Sequence, residues 1–204
     1  MKVLVACEFS GRVRDAFKLR GHDAWSCDFL PTEAIGNHIQ DDVLKHLNDG
    51  WDLMIAHPPC TYLTVSGNKW FKPEFKNRFP DRELRRNEAI NFFMMLINAD
   101  IPKIAVENPI GIMSTLYRKP DQIIQPWQFG HPETKATCLW LKNLPPLNPS
   151  NIVKLPDKKS ERMRLHYLPP SPDRWMERSR TFQGIAEAMA EQWGELKGSP
   201  LEKW

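Results

Sequence analysis

The chain has 204 residues, 41% hydrophobic and 26% charged, enough apolar material for one soluble domain with a sizeable core. No apolar run reaches eighteen residues, which speaks against a transmembrane helix. The opening VLVAC is too short for a signal peptide and Glu8 ends it, so the expected compartment is the cytoplasm. The four cysteines, Cys7, Cys27, Cys60 and Cys138, form no C-x-x-C pair, so neither a metal site nor a disulfide is expected.

Net charge is +3, but it is unevenly placed. Residues 68–88 hold seven Lys/Arg against four Asp/Glu, and residues 151–180 hold eight against four, so the remainder is net acidic. Both basic stretches carry aromatics, among them Trp70, Phe71, Phe75, Tyr167 and Trp175. Basic segments interleaved with rings on an acidic body suit a polyanion such as nucleic acid.

In chain order, residues 2–7 read as a first strand. Residues 11–20 read as a helix with Val13, Ala16, Phe17 and Leu19 on its apolar face, stopped by Gly21. A second strand is expected at 23–27, a third at 38–39, a short helix at 43–47 and a fourth strand at 53–56. Residues 61–81 read as a long loop, 82–99 as a helix with Ala89, Ile90, Phe93, Leu96 and Ile97 on one face, and 103–107 as a fifth strand. Alternating strands and helices predict an α/β, doubly wound and mostly parallel Rossmann-like sheet. Residues 1–118 would form its core. The proline-rich stretch 119–180, with one apolar piece at 138–141, reads as a small irregular lobe, and 181–204 as a helix returning to the core. In such sheets ligands bind beyond the strands' carboxyl ends. Cys7 to Gly11, Asp28, Asp41 and Asp42, Pro58 to Cys60, and Glu107 with Asn108 all fall there, each just after an apolar run.

Taken together, Glu8-Phe9-Ser10-Gly11, Asp28, Asp42, the motif PPCTYLTVSG at 58–67 and Glu107-Asn108-Pro109 resemble the DNA cytosine-5 methyltransferase family. The family places Pro-Cys after one strand, with Ser-Gly shortly beyond, and Glu-Asn after the next. The resemblance runs on through FGHPETK at 129–135 to Thr181-Phe182-Gln183-Gly184, and so covers most of the chain. It suggests a small, phage-type member with a reduced target-recognition region, of use in restriction–modification or phage DNA modification.

The resemblance implies S-adenosylmethionine as cofactor and a cytosine flipped out of DNA as substrate. Cys60 would be the nucleophile, adding as thiolate to carbon 6 of the ring, and Glu107 would hydrogen-bond or protonate ring nitrogen 3. The Pro59 carbonyl would face the exocyclic amine, with Asn108 completing the catalytic set. Lysines 69, 72 and 76 are candidates for favouring the Cys60 thiolate. Phe9, Ser10, Gly11, Asp28, Asp42, Pro58 and Gly184 would line the cofactor site. Within it, amides at a helix N-terminus would hold the cofactor carboxylate and Asp28 the ribose. Ser66, Lys69, Lys72, Lys135, Lys158, Lys159, Arg162 and Arg164 would contact nucleic acid. Two departures stand out. Val13 replaces the family's next glycine, and the Gln-x-Arg-x-Arg motif is Glu133-Thr134-Lys135-Ala136-Thr137, ending in Thr137 where the second arginine is expected. Rival expectations are a DNA amino-methyltransferase, echoed by His57-Pro58-Pro59-Cys60, a non-catalytic nucleic-acid-binding relative, and an enzyme acting on RNA or a free pyrimidine nucleotide.

Overall fold

A computed structural model describes residues 1–195. Seven strands form one sheet in the order β3-β2-β1-β4-β5-β7-β6. They are β1 (Lys2–Ala6), β2 (Asp23–Asp28), β3 (His38–Gln40), β4 (Leu53–Ala56), β5 (Lys103–Pro109), β6 (Gln122–Ile124) and β7 (Thr137–Lys142). The first five pair in parallel, and β7 runs antiparallel to both β5 and β6. This is the expected doubly wound, mostly parallel sheet.

Period-two alternation along the strands divides the core into two layers. Val3, Val5, Leu53, Ile55 and Leu139 face helices α1 (Arg12–Leu19) and α7 (Gln183–Gly194). Leu4, Ala6, Met54, Ala56, Ile104, Val106 and Trp140 face α2 (Arg82–Ile97) and α3 (Met113–Leu116). Each fully buried large side chain contributes roughly 1.5–3 kcal/mol. On α7 the buried residues include Ala186, Ala188 and Ala190, small enough for it to pack closely on α1. On α2 the Phe93 ring meets the edge of Trp140, 5.1 Å between centroids.

Several boundaries and faces differ from the sequence reading. Leu19, assigned to the apolar face of α1, is 86% exposed, whereas Arg14 is fully buried. The stretch 61–81 is not an open loop. It winds through two 3-10 turns, Val65–Phe71 and Pro73–Phe75, and Thr64 bridges to Gly111. Residues 119–142 do not belong to a separate lobe, because β6 and β7 extend the central sheet. Sequence periodicity misses them because β6 has three residues and β7 gains its strand geometry from pairing with β5, over thirty residues upstream. The irregular region is confined to 143–180 and holds α4 (Lys159–Arg162), α5 (Arg164–Tyr167) and α6 (Arg174–Ser179). The final helix starts at Gln183 rather than 181, and positions 196–204 of the C-terminal segment lie outside the described residues. No helix among the described residues is long and apolar enough to cross a membrane.

Candidate active site

Strand order reverses between β1 and β4, so the cleft of this sheet opens past their carboxyl ends. The register puts Cys27, Ala6, Ala56 and Val106 in one row across the sheet. The next residue on each strand is therefore Asp28, Cys7, His57 and Glu107. Four polar groups from four distant parts of the sequence share one edge.

On the β1 side the chain turns sharply at Cys7, whose φ of 59° is left-handed, and its amide donates to the Cys27 carbonyl at 2.8 Å. Burial raises the Cys7 thiol far above its usual value, and Asp28, Cys27 and Asp42 add to the effect, so the thiol stays neutral. The same coupling shows that Asp28 and Asp42 lie around this turn. Burial also raises the Asp28 carboxyl, against the opposing Leu30 amide, which donates to it at 3.0 Å. Asp42 caps the following 3-10 turn by accepting from the Leu44 amide at 3.0 Å. Its neighbour Asp41 is turned to Lys45 at 2.7 Å, which holds its carboxyl down at about 2. Both carboxylates thus have partners within the chain. Phe29, beside Asp28, leaves its ring 71% exposed, although the sequence offered no periodicity to single it out.

The turn into α1 departs from expectation. Glu8 is 4% exposed, and its carboxylate accepts from the amides of Val13 at 2.8 Å and Arg14 at 3.2 Å and from the Ser10 hydroxyl at 3.2 Å. The helix N-terminus expected to hold the cofactor carboxylate is capped by the chain itself. Gly11, at φ 73°, is needed for the turn, and a Cβ there would crowd the Arg14 guanidinium. That guanidinium is fully buried and uses all its donors on Asp15, Ser26, Thr32 and the Ala34 carbonyl. It locks the segment after β2 to α1. Phe9 is covered by Trp175 of α6, 5.8 Å between ring centroids, and its carbonyl accepts from the Glu33 amide. Arg180 then clasps Glu33 and Glu177.

Gly184, expected at the cofactor site, is packed against the residues before β7. Its amide donates to His131 Nε2 at 3.0 Å, and a Cβ there would meet the Phe129 carbonyl, so it is a close-packing glycine. Burial and nearby Arg12 hold His131 below the usual histidine range, consistent with Nε2 accepting.

On the β4 side the His57 amide continues the ladder by donating to Ala6 at 2.9 Å. The prolines then carry the chain outward: Pro58 is buried, whereas Pro59 and Cys60 are exposed. Asn108, 1% exposed, donates its side-chain amide to the Pro58 carbonyl at 2.9 Å. It braces the shelf, and its Oδ1 is buried with no partner among the described residues. The Cys60 carbonyl accepts from the amides of Leu63 and Thr64, and the next segment is held by Ile112 donating to Leu63 at 2.8 Å. A Cβ on Gly111 would strike the Leu63 carbonyl, so glycine is required at that crossing.

Although Cys60 is exposed, neighbouring protein partly desolvates its sulfur and raises the thiol, and Glu107 adds to this, while Lys135 and Arg178 oppose them. The cations that favour the thiolate are therefore Lys135 and Arg178, not Lys69, Lys72 and Lys76. Burial pushes the Glu107 carboxyl upward, but the hydrogen bond from His57 and the charge of Lys135 outweigh it, and the carboxyl sits below its usual value. His57 Nδ1 lies 3.2 Å from Glu107 Oε2. Lys135 also donates to the Arg178 carbonyl at 3.0 Å, which ties the loop before β7 to α6.

The expected nucleic-acid contacts divide. Ser66, Lys69 and Lys72 are exposed on the turn beyond Cys60. The neighbouring arginines are spent internally: Arg82 lies over the rings of Tyr62, Phe71 and Phe79, and Arg86 over Phe71 while it donates to the Tyr62 carbonyl. Trp70 packs edgewise on Phe75 and Phe79 with Lys69 above it. Arg164 is paired with Glu133 at 3.1 Å, and Arg162 donates to the carbonyls of Pro156 and Asp157. Lys158 and Lys159 are exposed, Lys158 only loosely paired with Glu161 at 3.7 Å.

Among the described residues no group of three or more His, Cys, Asp or Glu could hold a metal ion. A surface cleft lined by Ile97, Tyr117, Arg118, Lys142 and Asn143 lies at the other end of β5, away from this edge.

No family model and no curated protein matches the chain. Among solved structures, one similar to it is a supposed DNA modification methyltransferase encoded within an E. coli prophage. The two are 18% identical with a TM-score of 0.48, and the match covers 76% of this chain and 55% of that one. The chain thus spans little more than half of that protein's length, and a likeness of this degree says nothing about activity.

Proposed function

We propose that the chain is an S-adenosylmethionine-dependent DNA methyltransferase acting at carbon 5 of cytosine through Cys60. The observation that carries this reading is the meeting of the Cys60 shelf with Glu107 at one sheet edge. Asn108 braces the shelf, and Lys135 and Arg178 lie within electrostatic reach of the thiol. A nucleophile beside a carboxyl that can hold a proton is the pairing that addition to carbon 6 requires, with nitrogen 3 of the ring taking the proton.

The residues present suit the nucleoside end of the cofactor. Asp28 has an acceptor for ribose hydroxyls, Phe29 offers an exposed ring face, and Asp42 lies by the same turn. The amino-acid end must find partners other than the first amides of α1, which Glu8 occupies. When bound, the cofactor supplies an electrophilic methyl group on a sulfonium. Cys60 attacks the flipped base, Glu107 stabilises nitrogen 3, and Pro59, at the exposed end of the shelf, is left to orient the exocyclic amine.

The amino-methyltransferase alternative needs position 57 to accept hydrogen bonds from the target amine. The His57 Nδ1 is turned to Glu107 instead, and Cys60 supplies no stacking ring. The capped α1 terminus is the observation that favours a second reading, a nucleic-acid-binding relative without turnover. Incubation with methyl-labelled cofactor and DNA, RNA or cytidine nucleotide, followed by nucleoside analysis, decides among these. 5-Methylcytosine in DNA is expected; N4-methylcytosine, label in RNA or nucleotide only, or no transfer despite DNA binding would each overturn the proposal.

A further inference from the structure

We infer that His57 is the proton-holding partner of Glu107, acting through the carboxyl rather than on the base. This deepens the cytosine-5 reading and rests on it for the identity of the acceptor. The two side chains come from adjacent parallel strands, in register at Ala56 and Val106, so the pair is built into the sheet rather than carried on a loop. His57 Nδ1 and Glu107 Oε2 are 3.2 Å apart, and the side chains are 9% and 20% exposed. Nε2 of His57 is buried and has no partner among the described residues. A histidine retained only for packing is ordinarily satisfied at both nitrogens. Here the ring's polar connection among the described residues is to Glu107 alone.

The chemistry gives the pair a purpose. A carboxylate beside nitrogen 3 of a neutral cytosine is two acceptors face to face. Glu107 needs a proton at the moment the base arrives, yet His57 and Lys135 hold its carboxyl toward the ionised form. An imidazole keeps a proton to higher pH than a carboxyl does. One proton on the Nδ1–Oε2 line can therefore be shared between the ring and the carboxyl. As the Cys60 thiolate, its proton released to solvent, forms the Sγ–C6 bond, nitrogen 3 takes the pair's one proton through Glu107, leaving His57 neutral and Glu107 ionised. The bound cofactor would supply the methyl group that carbon 5 gains. Loss of the carbon-5 proton to solvent water, with cleavage of the Sγ–C6 bond, restores the ring and the Cys60 thiolate, and the nitrogen-3 proton returns to the pair. The other charged or titratable groups facing Glu107 are Lys135 before β7, Cys60 on the shelf and Cys138 on β7, with Arg178 of α6 facing Cys60. Both cysteines are raised toward the neutral thiol, so Cys60 has to release its proton to solvent before it attacks.

The test compares the wild type with His57→Asn, whose amide can still donate to Glu107 but cannot titrate. The Glu107 carboxyl is followed by carbon-13 NMR from about pH 3 to about pH 8, and methyl transfer is measured over the same series. The expected result is an upward move of the carboxyl titration in the variant by about one pH unit or more. Turnover should fall at least about tenfold with KM for DNA within about twofold, and the alkaline limb of the rate profile should move to lower pH. An unmoved carboxyl titration, or a drop in turnover with the wild-type pH profile, makes His57 merely structural and overturns the inference. If the wild type methylates no substrate, the cytosine reading fails, and the NMR arm alone decides whether His57 governs the Glu107 proton. His57→Gln is read in the same way if the Asn variant does not fold.

Discussion

Asn108 on β5 donates its side-chain amide to the carbonyl of Pro58, fifty residues away, at 2.9 Å. Through this one bond the strand that carries Glu107 holds the shelf that carries Cys60. Asn108→Ala leaves the buried carbonyl unpaired and is expected to cost about 1–3 kcal/mol of stability, measured by urea unfolding. Turnover should fall by more than that loss of stability explains, because the shelf loosens. A variant of wild-type activity would show that the prolines alone set the nucleophile's position.

Cys60 is expected to form a stable adduct with duplex DNA containing 5-fluorocytosine in the presence of cofactor. Cys60→Ala should form none. Denaturing gels read the result directly, and an adduct surviving in the variant would assign the nucleophile elsewhere.

Asp28 carries a pH dependence whose sign is fixed. Burial raises its carboxyl above the ordinary aspartate value, and ribose hydroxyls need the ionised form as acceptor. Cofactor affinity should therefore be full at neutral pH and decline as acid protonates Asp28, earlier than for an exposed aspartate. Asp28→Ala should weaken binding by about 1–3 kcal/mol at neutral pH and remove that acid dependence. Calorimetry of S-adenosylmethionine at several pH values is the measurement, and unchanged affinity in the variant would remove the ribose contact.

Glu8 and Arg14 are expected to be stability residues. Glu8→Ala removes the cap of α1 and should cost about 1–2 kcal/mol. Arg14→Ala removes the five hydrogen bonds of its guanidinium, including both to Asp15, and opens a buried void, for an expected loss of about 3 kcal/mol or more. Denaturant midpoints check both. Equal stability in Glu8→Ala would free the helix amides for the cofactor carboxylate after all.

DNA affinity should depend on the exposed lysines more than on the arginines near them. Neutralising Lys158 and Lys159 together should flatten the log–log salt slope, by about 0.9 for each phosphate that the protein no longer neutralises, for all sequences alike. Arg164→Gln should instead act through the broken pairing with Glu133, changing stability more than slope. The opposite pattern in a salt titration would place Arg164 at the phosphates.

The first five strands, their carboxyl ends and the helix over Phe93 and Leu96 were legible in the sequence, whereas β6 and β7 were not. Apolar runs and their periods follow from burial, which acts on each segment separately. The five groups of polar residues just past those runs were legible for the same reason, since a strand's carboxyl end is a local property. What each polar residue does there was not. Glu8 reads as part of a cofactor motif, yet it caps its own helix, because a carboxylate a few residues ahead of a free helix terminus is drawn to those amides. Nothing in the apolar pattern marks Arg14, yet it is buried, because Gly11, Gly36 and Ala34 leave a space that its fork fills. Basic residues near Cys60 in the chain look like the thiol's partners, but Lys135 and Arg178, distant in sequence, are the ones the fold brings close. His57 stood in plain view beside Cys60, and nothing local pointed to Glu107. Parallel pairing of β4 with β5 placed the two side by side, and such register is decided only when the strands meet.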